Sequence, residues 1–82
     1  MAAMPCTTMD CLEIGQRAFV RALGLESSLR DRLQDLGLVE GTEVQCVLKS
    51  PAGDPAAYEI RGAVIALRRG DAATVQLELE PS

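Results

Sequence analysis

Apolar and polar positions alternate every second residue along most of this chain, and one segment follows a helical period instead. Arg17–Leu23 sets Ala18, Val20 and Ala22 on one face and Arg17, Phe19 and Arg21 on the other, the pattern of a half-buried strand. Phe19 and Leu23 interrupt that alternation, so a bulge or a partly covered second face is expected. Residues 42–49 repeat the pattern with Val44, Cys46 and Leu48 inward. Residues 56–61 place Tyr58 and Ile60 on one side, and Gly62 breaks the strand. Ala63–Leu67 is a continuous apolar run and reads as a short buried strand. Residues 74–80 alternate most regularly, with Val75, Leu77 and Leu79 inward.

The helical segment lies between the first two strands. Ser28 reads as its N-cap, with Asp31 in the first turn. Leu29, Leu33 and Leu36 fall at i, i+4 and i+7, forming one apolar stripe. Gly37 suits a left-handed C-cap, and Leu38 is placed to fold back on the last turn. Glu40-Gly41 is a turn, residues 50–55 are dense in turn formers, and residues 68–73 read as a polar turn. Five short strands with one helix between the first and second predict a mainly β domain closed into a small barrel, since closure removes exposed edges. Leu29, Leu33 and Leu36 would stopper its open end. The domain is expected over 15–80, behind an irregular lead-in at 1–14.

Length allows one domain: at 82 residues the core must be compact. A net charge of −4 argues against a nucleic-acid backbone and against anionic lipid, both of which need clustered cations. One Phe, one Tyr and no Trp leave little material for stacking bases or lining a proline-peptide groove. Without histidine, Ser–His and Cys–His pairs are excluded, and no glycine-rich phosphate loop is present, so no enzyme is expected. Three cysteines without an export-type start do not suggest a secreted disulfide framework, and no apolar run reaches the ~18 residues of a membrane span. A cytoplasmic protein with no direct membrane insertion is expected.

Cys6 and Cys11, flanking Asp10 and near Glu13, are the candidate ligands for a weakly held divalent ion, Fe2+ or Zn2+. No closed four-ligand spacing accompanies them, so folding requires no cofactor. Cys46 faces inward and reads as a small core hydrophobe. The loop holding Pro51, Gly53, Asp54 and Pro55 is a candidate partner surface, because its prolines reduce the entropy lost on docking. Arg68 and Arg69 are the candidate cations of that surface. Gly37, Leu38 and Gly41 join the three leucines as structural positions.

The order of these signals resembles the FeoA family. The resemblance runs from Gly15 to near Glu78, through Arg32-Leu33-Gln34-Asp35-Leu36-Gly37-Leu38 and Glu40-Gly41 with Val44 behind. It continues through Pro51, Gly53-Asp54-Pro55, Arg61-Gly62 and Ala66-Leu67-Arg68, then Ala72 and Val75. Each piece alone is a common turn or cap; their joint order is the specific part. The N-terminal cysteines and methionines, and Ala56-Ala57, depart from the family pattern. The resemblance implies an SH3-like barrel that acts as an accessory protein of ferrous iron uptake. It would bind and modulate FeoB, a membrane permease with its own GTPase domain, through that protein's cytosolic portion. The same module resembles a domain of metal-dependent repressors, which keeps a metal chaperone or sensor as the alternative. Oligomeric state stays open.

Overall fold

The computed structural model describes residues 8–78. A 3-10 turn at Met9–Cys11 leads into β1 (Arg17–Leu23), α1 (Ser27–Asp35), β2 (Glu43–Lys49), β3 (Ala56–Ile60), β4 (Ala63–Leu67), the one-turn α2 (Arg69–Ala72) and β5 (Val75–Glu78). The five strands form one antiparallel sheet in the order β4-β3-β2-β1-β5. The outer strands β4 and β5 are connected by α2 but, among the described residues, are not hydrogen-bonded to each other, so the SH3-like sheet curls without the complete closure expected and β4 keeps an open edge.

β1 has the bounds its alternation predicts, and Ala18 and Val20 are buried. The expected irregularity is a register shift between Val20 and Ala22 against β5. Tyr58 and Ile60 of β3 and Val75 and Leu77 of β5 are buried as read. Leu79 lies outside the described residues. The core adds Met9, Leu12, Leu25 and Ala72, so the lead-in contributes two side chains to it.

The helix ends as the sequence requires. Gly37 has φ +108, its N–H donates to Gln34 O at 3.0 Å, and Leu38 N donates to Leu33 O at 2.9 Å. These two bonds are the Schellman pair, and Leu38 is fully buried behind them. Thr42, also buried, donates from Oγ1 to Gly37 O at 2.7 Å and so ties the helix end to the start of β2. Gly41, at φ +86, turns the chain between them and donates to Val20 O at 2.7 Å.

Four expectations need correction. Ser28 is not the N-cap: Glu26 is, its carboxylate accepting from Ser28 N at 3.0 Å and from Ser28 Oγ. That contact lowers the Glu26 pKa, because both Ser28 groups donate to its charged form. Leu36 does not stopper the core; α1 ends one residue before it, leaving it 45% exposed. Leu33 is buried and Leu29 packs partly against the core, so the stripe shortens to two. Leu48 points out at 62% exposure, because a register shift after Cys46 reverses the facing of β2. Ala63–Leu67 is a strand but not a buried one: it lies at the sheet edge, only Leu67 is buried, and Val64 is 63% exposed.

Candidate docking surface

The loop 50–55 and the α2 turn converge at one end of the sheet. Pro51 begins a turn that Gly53 closes, its N–H donating to Ser50 O at 2.7 Å. Gly53 has φ +82, a conformation that a side chain rarely adopts. Ser50 N then donates to Pro55 O at 3.1 Å across the loop base, and the Asp54–Pro55 peptide is cis. Arg68 stands at the N-cap of α2 without a side-chain cap of its own. Asp54 supplies that function from across the surface, Oδ1 accepting from Arg69 N at 2.9 Å. The Arg69 guanidinium lies over Gly53, where a Cβ would meet Nη2 at 3.3 Å. Gly53, Asp54, Arg68 and Arg69 are thus gathered in one patch, with Pro51 and Pro55 exposed beside them.

Beneath this patch is a cavity of about 70 Å³, lined by Asp10, Lys49, Gly53, Ala56, Tyr58, Leu67 and Arg69. Lys49 Nζ pairs with Glu13 Oε2 at 3.3 Å. Tyr58 is 1% exposed, and its pKa is pushed up to about 12. Burial is the main cause, and the charges of Cys46, Asp10 and Asp54 add to it. An ordinary tyrosine titrates near ~10, so between those values the folded chain holds a proton that the unfolded chain has released. The contribution of Tyr58 to stability is therefore flat with pH below the unfolded value and falls as pH rises towards about 12. We expect the denaturant midpoint to drop over that window and the drop to shrink in Tyr58→Phe. Tyr58 is the single tyrosine, so its phenolate absorbance reports the titration directly. A phenolate appearing at the ordinary value in the folded protein would contradict the burial argument.

The candidate metal ligands do not converge among the described residues. Asp10 accepts from Thr8 Oγ1, Glu13 pairs with Lys49, Cys11 is disulfide-bonded, and Cys6 lies outside the described residues. Among the described residues no three Cys, Asp or Glu side chains stand together as a metal site. Cys46 is free and buried, and burial pushes its thiol pKa up, as a core hydrophobe requires. Among the described residues no helix is long and apolar enough to cross a membrane.

A second surface was not read from the sequence. A groove of about 500 Å³ runs between α1 and β4, lined by Leu29, Leu33, Leu36, Ile65, Ala66 and Leu67, with Arg32 and Asp35 at its rim. Its signal was present in the uncharged run of Ala63–Leu67, but whether that strand is central or at an edge is decided by strand order.

With this geometry in hand, the relatives are informative. The family model for the FeoA domain matches residues 7–79. The chain belongs to the FeoA family. The family serves ferrous iron transport, and the fold is SH3-like. A Porphyromonas gingivalis protein described as a fusion of Fe(2+) transport protein A and the Fe(2+) transporter FeoB is 32% identical over 68 residues. That match takes in 83% of this chain and 8% of the fusion protein, so the chain spans a small part of the curated relative. The solution structure of FeoA from Chlorobium tepidum superimposes with a TM-score of 0.84 at 32% identity, over 88% of this chain and 69% of that one. Stenotrophomonas maltophilia FeoA, solved in complex with zinc and described as a prokaryotic SH3 domain protein, gives 0.76 at 30% identity over 93% and 91%. The family match therefore includes the 3-10 turn that carries Met9 into the core of this FeoA domain.

Proposed function

We propose that this FeoA domain is a non-enzymatic accessory of ferrous iron uptake that binds the cytosolic portion of FeoB and modulates transport. The observation that carries this reading is the Porphyromonas gingivalis fusion, in which the matched segment shares one chain with FeoB. Fusion holds two modules at high effective concentration, which supports an encounter between them. In a separate chain the same encounter must rest on a surface. The patch of Gly53, Asp54, Pro55, Arg68 and Arg69 suits it: rigid by its own hydrogen bonds, so little ordering entropy is lost on docking. We place the encounter in the cytoplasm, with the 15–80 unit working together with the lead-in that supplies Met9 and Leu12 to its core.

Titration calorimetry with the cytosolic portion of FeoB, with and without guanine nucleotide, tests the reading. Saturable binding is expected, weakened roughly tenfold or more by Arg69→Glu, a charge reversal at the edge of the patch. No binding at tens of micromolar in any nucleotide state would remove the proposal.

A second reading is supported by the zinc complex of the Stenotrophomonas maltophilia protein. Here Cys6, Asp10, Cys11 and Glu13 would hold the ion. Cys11 is disulfide-bonded, and a thiolate must be released before it can ligate. Zn2+ binding is then expected only with reductant, and is lost in the Cys6→Ser, Cys11→Ser double variant. Stoichiometric binding that ignores both conditions would end the cysteine version.

A further inference from the structure

The sheet has two outer strands, and they are treated differently. The outer side of β5 is bridged by Thr8, which pairs with Gln76. Among the described residues the outer side of β4 pairs with nothing. Native sheets blunt such an edge with a charge, a proline, a bulge or a covering element, because its free N–H and C=O groups template another strand. β4 carries none of the first three: its sequence is Ala63-Val64-Ile65-Ala66-Leu67, and its five-pair register against β3 has no shift.

The free groups can be assigned. Arg61 and Gly62, at φ +50 and +87, form the two-residue loop of the β3–β4 hairpin, closed by Ile60 and Ala63. The closing pair of such a hairpin is hydrogen-bonded, and bonded pairs alternate along an antiparallel ladder. Ala63, Ile65 and Leu67 therefore bond to β3, and the N–H and C=O groups of Val64 and Ala66 point outward. Beside them runs the apolar groove against α1, with Leu36 exposed on its far wall. An edge strand flanked by a helix is the geometry of β-strand addition, in which main-chain bonds supply affinity and the groove takes alternate side chains.

Charge selects the occupant. Although the chain carries −4 overall, Arg61 precedes β4, Arg68 and Arg69 follow it, and Arg32 stands on the groove rim, four cations against the carboxylates of Asp35 on the rim, Asp54 at Arg69 N and Glu59 opposite Val64. A second copy fits poorly: antiparallel self-pairing centred on Ile65 would bring the Arg61 turn of each copy to the Arg68–Arg69 end of the other, setting cations near cations at both ends of the pairing. We propose that β4 is a docking edge for an extended segment of a partner protein, apolar along its length and acidic at both ends. This stands on the sheet edge alone and does not depend on FeoB being that partner.

The probe is a short synthetic peptide of alternating Val and Thr flanked by Glu pairs, titrated into the full chain and followed by amide NMR. The amides of Val64 and Ala66 are expected to shift and gain protection from hydrogen exchange. The same peptide with Lys flanks should bind roughly tenfold more weakly, the size set by losing a few exposed ion pairs. Val64→Pro removes an outward donor while sparing the bonds to β3, and should abolish binding with the spectrum still dispersed. Arg68→Glu, at an exposed position, should invert the flank preference and decides the matter should the proline variant unfold. Unchanged Val64 and Ala66 amides at saturating peptide, equal binding of both peptides, or peptide-free dimerisation through β4 would each overturn the proposal.

Discussion

Leu38→Ala is expected to cost about 3 kcal/mol, the middle of the range for burying and then truncating a leucine. Leu38 is fully buried, and its backbone is fixed by the bond from its N–H to Leu33 O at 2.9 Å. With the backbone fixed there, the surroundings cannot close the space the side chain leaves, so the cavity term persists. Leu33, 5% exposed, should cost ~2–4 kcal/mol on the same change. Leu36, between them in sequence and 45% exposed, should cost under ~1 kcal/mol. Denaturant unfolding of the three alanine variants checks the order. Equal losses at Leu36 and Leu38 would mean that α1 packs by a different face.

That contrast shows where local sequence signals reach and where they stop. Leu-Gly-Leu after a leucine stripe specified the Schellman ending, because every group in that motif lies within six residues. The bounds of β1 and the inward faces of β3 and β5 followed from period-two alternation for the same reason. What was missed depends on contacts that the pattern does not contain. A Glu serves as N-cap of α1 because its carboxylate reaches Ser28 N, while the serine that looked like the cap donates to it. Leu48 turns outward because β2 slips against β3 after Cys46, a property of the pair and not of either strand. Ala63–Leu67 looks the same whether it is central or at an edge, and strand order alone exposes Val64. The docking patch divides in the same way. Pro51, Gly53, Asp54 and Pro55 read as a loop, and Arg68 and Arg69 as a turn. The bond from Arg69 N to Asp54 that makes them one surface joins positions fifteen residues apart. The groove beside β4 left only the uncharged run of Ala63–Leu67 as its trace in the sequence, and that run does not tell a central strand from an edge.

Gly37→Ala should be the most damaging single-methyl addition in the chain, at about 2–3 kcal/mol. Two terms combine. The first is conformational: φ +108 lies in a region that residues with a side chain occupy at a cost of ~1–3 kcal/mol. The second is steric, since a Cβ there would sit 2.3 Å from Arg61 Cδ and 3.2 Å from Cγ. Those are mid-chain atoms of an arginine whose own backbone is fixed at φ +50 in the β3–β4 turn, so the side chain must be displaced bodily. The terms can be separated. In an Arg61→Ala background the steric part disappears, and Gly37→Ala should lose roughly 1 kcal/mol of its cost, read as the coupling of a double-mutant cycle. Gly37→Asn should be milder than Gly37→Ala in the same background, because Asn is the next best residue at a left-handed C-cap. A coupling near zero would show that Arg61 moves aside freely. In that case the glycine is required by the Schellman turn alone, and the arginine is free to turn its charge toward whatever docks at the edge of β4.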